Sequence, residues 1–146
     1  AALDAFDPQF AVDPVPDRGP LVGLRTALEA TTATYAAVLP CDMPLLPAAF
    51  VDYLFSRASD RTGAVPKIDE TVQPLPAAVH VRAATASYRD AREHHVVRLE
   101  ALRTRLDPFV VPERVVAAHG DLSAFRNIDT HHDPAASRGH AQRVDR

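Results

Sequence analysis

An isolated acid, Asp42, stands in the sequence LPCDMP at residues 39–44, directly after an apolar run over residues 35–39. A β-prone run that ends in an acid and a proline turn places a carboxylate at the carboxyl edge of a sheet, where open α/β sheets bind their ligands. A carboxylate there suits Mg²⁺ with phosphates attached, because proteins usually hold this ion through one or two carboxylates. The alternative is that Asp42 caps the turn into the next helix. Asp42 is therefore the first candidate for a catalytic and metal-binding residue.

A second candidate is the start of the preceding helix, in the sequence GPLVG at residues 19–23. Pro20 suits a first helical turn because its missing N–H costs nothing there, and the leucines that follow have helical spacing. The free N–H groups at this helix start could receive an anion or a nucleoside base. In the alternative, Gly23 only lets the helix pack closely on the sheet. The residues alone leave both interpretations open.

Two later segments carry polar side chains that could face a ligand. Gln73 lies in the sequence QPLP at residues 73–76, before an apolar strand, and its amide could hydrogen-bond the edge of a ligand. Asn127 and Asp129, two residues apart in FRNIDT, would lie on one side of an extended segment and could complete a phosphate and metal site. The alternatives are a solvated turn for Gln73 and an Asx-turn for the later pair.

The histidine pairs and the cysteine predict no further chemistry. Neighbouring histidines, as in His94-His95 and His131-His132, point in different directions and rarely chelate one ion, so a zinc site is disfavoured. Cys41 is interpreted as a small buried filler, because the nearest histidine in sequence is His80 and no activating base is evident.

Composition sets the class of protein. With 146 residues and 47% hydrophobic residues, the chain is long enough for one domain with its own core. It contains no apolar run near the length of about 18 residues that suggests a membrane span. A net charge of −3 gives no reason to expect nucleic acid as a partner. One cysteine excludes an internal disulfide framework and fits a reducing compartment such as the cytoplasm.

These side chains need a scaffold, and the pattern of segments predicts one. Alternating helical and β-prone segments favour an α/β fold with a mostly parallel sheet and helices on both faces. Residues 1–136 are expected to form this single domain, and residues 137–146 a flexible tail. β-prone pieces are expected at 10–12, 35–39, 63–66, 75–81, 110–111 and 114–118, and helices at 20–30, from 47, at 83–92, at 96–106 and from 133. No GxGxxG or GxxxxGK[ST] sequence is present, so the first βα unit with its phosphate loop is expected to be missing.

The order of these segments is more specific than any one of them. GPLVGL, a strand leading into LPCDMPLL, QPL before an apolar strand, and FRNIDT together resemble the molybdenum cofactor guanylyltransferase family over residues 12–133. The resemblance implies a Rossmann-like nucleotidyltransferase fold and transfer of GMP from GTP to molybdopterin, with pyrophosphate released. It further implies Mg²⁺ held by Asp42, which carries the catalytic role.

The same resemblance implies a role for each remaining motif. Gly19, Pro20 and Leu21, with Asp42, would lie near the nucleotide. The acceptor side would be lined by Gln73, Pro74, Leu75 and Asn127. Asp129 stands where many relatives have Asn, and would either give the metal a second carboxylate or repel the acceptor phosphate. The family's opening glycine-rich loop has no counterpart here.

Two other functions stay open. One is a related nucleotidyltransferase with another base or acceptor, such as a cytidylyl or cobinamide guanylyl enzyme. The other is a non-catalytic binding domain without a nucleotide loop, since a sheet that lacks its first unit leaves an edge for a partner. The expected partners are GTP and molybdopterin, with a second copy of the chain or other proteins of molybdenum cofactor synthesis at the exposed edge.

Overall fold

The computed structural model describes residue 11, residues 20–93 and residues 105–126. The helices are α1 Pro20–Ala30, α2 Ala48–Ala58, α3 Val81–Glu93, α4 Glu113–His119 and α5 Ser123–Arg126. The strands are β1 Tyr35–Val38, β2 Gly63–Ile68, β3 Thr71–Val72, β4 Ala77–His80 and β5 Phe109–Val111. The helices pack against the sheet formed by the strands, so the predicted α/β class is confirmed.

The described strands form one sheet in the order β1-β4-β2-β3, with β5 also beside β2. The prediction of a mostly parallel sheet is wrong for these strands: β1–β4, β4–β2 and β2–β3 pair antiparallel, and β2–β5 pairs parallel. The reason is the connection from β2 to β4 over residues 69–76. A parallel pair needs a crossover of about a dozen residues or more, so this shorter connection reverses the chain.

The helices cover both faces of the sheet, as predicted. Because side chains alternate along a strand, Ala77 and Val79 of β4 face one way and Ala78 faces the other. One buried cluster joins Ala77 and Val79 to residues of α1 and α3, including Leu28 and Tyr88. The second joins Ala78 to α2 and α4. The members that α2 and α4 contribute to this second cluster are Phe50, Leu54, Ala58 and Val116.

The close approach of β2 to β4 depends on a glycine. A Cβ built on Gly63 would lie 2.7 Å from the carbonyl oxygen of Ala78 on the neighbouring strand. Real Cβ atoms do not come so near a backbone oxygen, so a side chain here would push the two central strands apart. Glycine at position 63 therefore allows β2 and β4 to approach this closely.

Most predicted elements within the described residues are confirmed, and one is wrong. The β-branched Val115 and Val116 suggested a strand over 114–118, but the chain forms α4 there. Pro112 stands immediately before this helix, and Val116 is fully buried in the core at a helical position. The β-prone piece at 10–12, most of the helix at 96–106, the helix from 133, the domain limit at 136 and the tail lie outside the described residues. None of the described helices is long and apolar enough to cross a membrane.

Candidate functional site

Asp42 lies in a turn beyond the carboxyl end of β1, where the sequence predicts a ligand-binding acid. β1 ends at Val38, and the Asp42 side chain is exposed. Asp42 makes no hydrogen bond or ion pair with the residues that the structure describes. An exposed carboxylate without an internal partner keeps its oxygens available for a ligand.

The residue next to Asp42 fixes the turn to the core. Met43 is 7% exposed and belongs to the buried cluster that includes Phe50 and Phe125. Its carbonyl oxygen accepts a hydrogen bond from the Leu46 N–H at 3.3 Å. Since Asp42 and Met43 are adjacent, the buried methionine sets where the carboxylate lies.

The strand register brings a second predicted segment to the same end of the sheet. Val38, the last residue of β1, pairs with Ala77, the first residue of β4. The segment 73–76 runs directly into Ala77, so it reaches the sheet beside the chain that leaves β1 toward Asp42. The peptide bond between Leu75 and Pro76 is cis. The antiparallel direction of β4 is what joins the two segments, because a parallel strand would present its carboxyl end there instead.

Gln73 is buried, so the alternative of a solvated turn is wrong. It is 8% exposed, and its N–H donates to the carbonyl oxygen of Pro66 at 2.8 Å. Its side-chain amide has no hydrogen-bond partner among residues 20–93 and 105–126. A buried amide without a partner costs about 1–3 kcal/mol, and such exceptions in proteins call for an explanation. A polar ligand at this end of the sheet would supply the missing partner.

The other predicted site residues are placed only in part. Pro74 and Leu75 are half-buried beside Gln73. Pro20 and Leu21 form the first turn of α1, and only residues 31–34 join α1 to the start of β1. This short return directs the amino end of α1 toward the carboxyl end of β1, the side of Asp42. Gly19, Asn127 and Asp129 lie outside the described residues.

Two basic side chains, Arg25 and Lys67, are paired with carboxylates in this structure. Glu29 accepts a hydrogen bond from Arg25 at 2.8 Å, and this bond raises the pKa of the Arg25 guanidinium. The Lys67 ammonium lies 2.6 Å from a Glu70 carboxylate oxygen in the β2–β3 hairpin.

The donor set fits one kind of metal site. Within the part of the chain that the structure describes, no group of three or more His, Cys, Asp or Glu side chains could hold an ion. A protein cage of the zinc or calcium kind therefore does not fit these residues. One exposed carboxylate at Asp42 does fit Mg²⁺, which keeps several waters and takes its remaining ligands from substrate phosphates.

Two features of the site escaped the sequence analysis. Cys41 is exposed, so its interpretation as a buried filler is wrong. Leu39 and Leu45, which flank Asp42, are 47% and 74% exposed and give the site an apolar rim. The three prolines at 40, 44 and 47 interrupt the periodic pattern that normally tells buried from exposed positions, so the sequence contains no signal for either feature.

The fold defines the class of protein. The chain superposes on the molybdopterin-guanine dinucleotide biosynthesis protein A of Archaeoglobus fulgidus with a TM-score of 0.61 and 18% identity, over 89% of this chain and 61% of that one. The 2-C-methyl-D-erythritol 4-phosphate cytidylyltransferase of Thermus thermophilus gives a TM-score of 0.50 at 16% identity, over 63% of this chain and 57% of that one. The predicted Rossmann-like nucleotidyltransferase fold is thereby confirmed.

Sequence comparison then gives the family. Residues 1–108 match the MobA-like NTP transferase domain, and the chain belongs to this family. The probable molybdenum cofactor guanylyltransferase of Haloferax mediterranei is 45% identical over 89% of this chain and 62% of its own length. That of Natronomonas pharaonis is 37% identical over 94% of this chain and 68% of its own length. The chain thus spans roughly two thirds of these relatives, and the resemblance drawn from the motifs is confirmed.

Proposed function

We propose that this chain belongs to a guanylyltransferase that moves GMP from GTP to molybdopterin, giving molybdopterin guanine dinucleotide and pyrophosphate. The observation that carries the proposal is the pairing of Val38 with Ala77, which sets the Asp42 turn beside the segment 73–76. Relatives at 45% and 37% identity that are named molybdenum cofactor guanylyltransferases support the same reaction.

The chemistry asks for positioning and charge neutralisation more than for covalent help. An oxygen of the terminal phosphate of molybdopterin forms a bond to the α-phosphorus of GTP. The bond from that phosphorus to the bridging oxygen of the β-phosphate breaks, and pyrophosphate leaves with the electron pair. Two substrates must therefore meet at one point with their phosphates aligned, and the sheet end described above offers a place for each.

The nucleotide side is assigned to Gly19, Pro20, Leu21 and Asp42. The first turn of α1 offers free N–H groups, which favour an anion at a helix start. Asp42 would hold Mg²⁺, which when bound offsets the negative charge that builds on the pyrophosphate. The carboxylate would act as a ligand of that ion and not as an acid or a base.

The acceptor side is assigned to Gln73, Pro74, Leu75, Asn127 and Asp129. Of these, Gln73 has the strongest physical argument, because its buried amide is without a partner in the described residues. A pterin presents amide and amine edges that an amide side chain can both donate to and accept from. Asn127 and Asp129 are assigned from the motif FRNIDT alone.

The test is a nucleotide panel with the protein of natural length. GTP, CTP and ATP are each offered with molybdopterin and Mg²⁺, and pyrophosphate release is measured. Release with GTP that needs both molybdopterin and Mg²⁺ supports the proposal. A clear preference for CTP points to a related cytidylyltransferase, and absence of any nucleotide binding points to a non-catalytic domain; each of these results contradicts the proposal.

Location and partners follow the same proposal. One cysteine, exposed and beside the candidate acid, suits a reducing compartment such as the cytoplasm. The same proposal includes a second copy of the chain or another protein of molybdenum cofactor synthesis as a partner. Light scattering of the purified protein measures whether it self-associates.

A further inference from the structure

The turn between β2 and β3 has an unfavourable backbone. Ile68 pairs with Thr71, so Asp69 and Glu70 form a two-residue hairpin loop. Their φ angles are 48° and 61°, and both therefore occupy the left-handed region. Such loops favour Asn-Gly because left-handed backbone crowds an L side chain. Neither residue is glycine, so contacts around the loop must offset this cost. One of them is the ion pair of Lys67 with Glu70 inside the hairpin.

One such contact comes from a distant part of the chain. The N–H of Asp69 donates to a carboxylate oxygen of Glu113 at 2.5 Å. Glu113 is the first residue of α4. The fully buried Val116 packs this helix into the core. Hydrogen bonds to an ionised acceptor are the stronger ones, so Glu113 ties the hairpin loop to the core.

The hairpin ends at Gln73. Lys67 pairs with Val72, and the next hydrogen bond runs from the N–H of Gln73 to the carbonyl oxygen of Pro66. A shift of one residue in such a pair turns every side chain to the other face. The loop geometry therefore decides which face of the hairpin carries the buried amide of Gln73.

We propose that Glu113 is a positioning residue for the acceptor-binding segment, acting through the Asp69-Glu70 loop on Gln73. This inference rests on the proposed function, because it takes Gln73 as a group that binds the acceptor. Glu113 does not touch the substrate. Its carboxylate holds the loop in its left-handed form, and the loop holds the register that aims Gln73.

The experiment compares Glu113→Ala with Glu113→Gln, which keeps an acceptor oxygen without the charge. Arg114→Ala, an exposed neighbour on the same helix, is the matched control. Hydrogen exchange of the Gln73 amide, which donates to Pro66 across the hairpin, is measured together with KM and kcat for molybdopterin. In Glu113→Ala we expect exchange at this amide to rise about tenfold or more, the effect of one lost hydrogen bond to a charged acceptor. We expect KM to rise with little change in kcat. Glu113→Gln should restore part of the exchange protection and reverse part of the rise in KM, because its acceptor oxygen carries no charge.

Two results would overturn the inference, and they are distinguishable. Unchanged exchange at the Gln73 amide in Glu113→Ala, or an equal rise throughout the sheet, shows that Glu113 does not specifically stabilise the segment and leaves the proposed function standing. A Gln73→Ala variant with unchanged KM for molybdopterin shows instead that Gln73 does not bind the acceptor. That second result removes the proposed role of Gln73 and this inference with it.

Discussion

Val38 and Ala77 face each other across two antiparallel strands, at the point where one strand ends and the other begins. From Val38 the chain goes on to the exposed carboxylate of Asp42, and it reaches Ala77 from the buried amide of Gln73. The register thus brings the segments that carry a charged carboxylate and a neutral amide to the same end of the sheet. The segments from Val38 to Asp42 and from Gln73 to Ala77 are both short, because the strand register already brings their ends together.

Replacing Asp42 by Asn should lower turnover without lowering stability. The side chain is exposed and has no partner in the described residues, so the free energy of unfolding should change by less than about 0.5 kcal/mol. The loss of a charge aimed at the reacting phosphates should reduce kcat by about 10²-fold or more. Pyrophosphate release and urea unfolding measure the two effects. Asp52→Asn, an exposed acid on α2, is the control; equal turnover in the two variants would remove Asp42 from the site.

The exposed thiol of Cys41 should report nucleotide binding directly. It stands next to Asp42, so a nucleotide held there should shield it from an alkylating reagent. With GTP at ten times its Kd and Mg²⁺ present, labelling should slow about tenfold, because only the unbound fraction reacts. The same protection should be absent in Asp42→Asn. Labelling at one rate with and without GTP would place the nucleotide elsewhere.

Shortening the buried side chain of Met43 should destabilise the protein, whereas replacing it by a side chain of similar volume should not. Met43→Ala removes a side chain that is 7% exposed and should lower the free energy of unfolding by about 2–5 kcal/mol. Met43→Leu keeps the volume and should cost less than about 1.5 kcal/mol. If the buried side chain positions Asp42, Met43→Leu should also keep most of the GTP affinity. Thermal unfolding and a GTP titration on both variants measure this, and equal stability of the two would contradict the burial of Met43.

Glycine at position 70 should stabilise the protein. Glu70 has a φ of 61°, where glycine avoids a cost of about 1–2 kcal/mol, although it adds freedom to the unfolded chain. The substitution also removes the ion pair between Glu70 and Lys67. The Glu70 side chain is 93% exposed, and such surface pairs contribute about 0–1 kcal/mol to stability. A net gain of about 0.5 kcal/mol is expected from urea unfolding. Glu70→Ala loses the same pair without relieving the backbone, and should not gain.

His80 should stabilise the start of α3. Its Nδ1 accepts a hydrogen bond from the N–H of Ala83 at 3.3 Å, as a side chain before a helix commonly does, and its ring meets Tyr35 edge-on. His80→Ala should lower the free energy of unfolding by about 0.5–2 kcal/mol. His80→Asn keeps a capping acceptor and should recover part of that loss. A loss that is the same in both variants would assign the effect to the contact with Tyr35.

The sequence predicts local structure here better than it predicts pairing. Pro74 and Pro76 correctly limited the last apolar strand to a late start, because proline cannot donate within a ladder. The place of that strand between β1 and β2 depends on contacts far apart in sequence, which alternation of segments does not encode. The same holds for Val115 and Val116, where β-branched side chains suggested a strand and tertiary packing formed a helix.

The candidate site shows the same division. Asp42 could be found because a strand, an acid and prolines follow one another within a few residues. The burial of Gln73 could not be found, because polar residues near prolines are usually solvated. It depends on the folded hairpin, in which the N–H of Gln73 donates to Pro66 on the neighbouring strand.

Residues 69–76 connect the antiparallel strands β2 and β4. This connection contains Gln73, whereas Asp42 lies in a different connection, after β1. On the proposed function, the acceptor is therefore bound by a segment that is separate along the chain from the turn that binds the nucleotide. Exchange of this segment for one of another length or sequence would then change the acceptor and leave the turn after β1 intact.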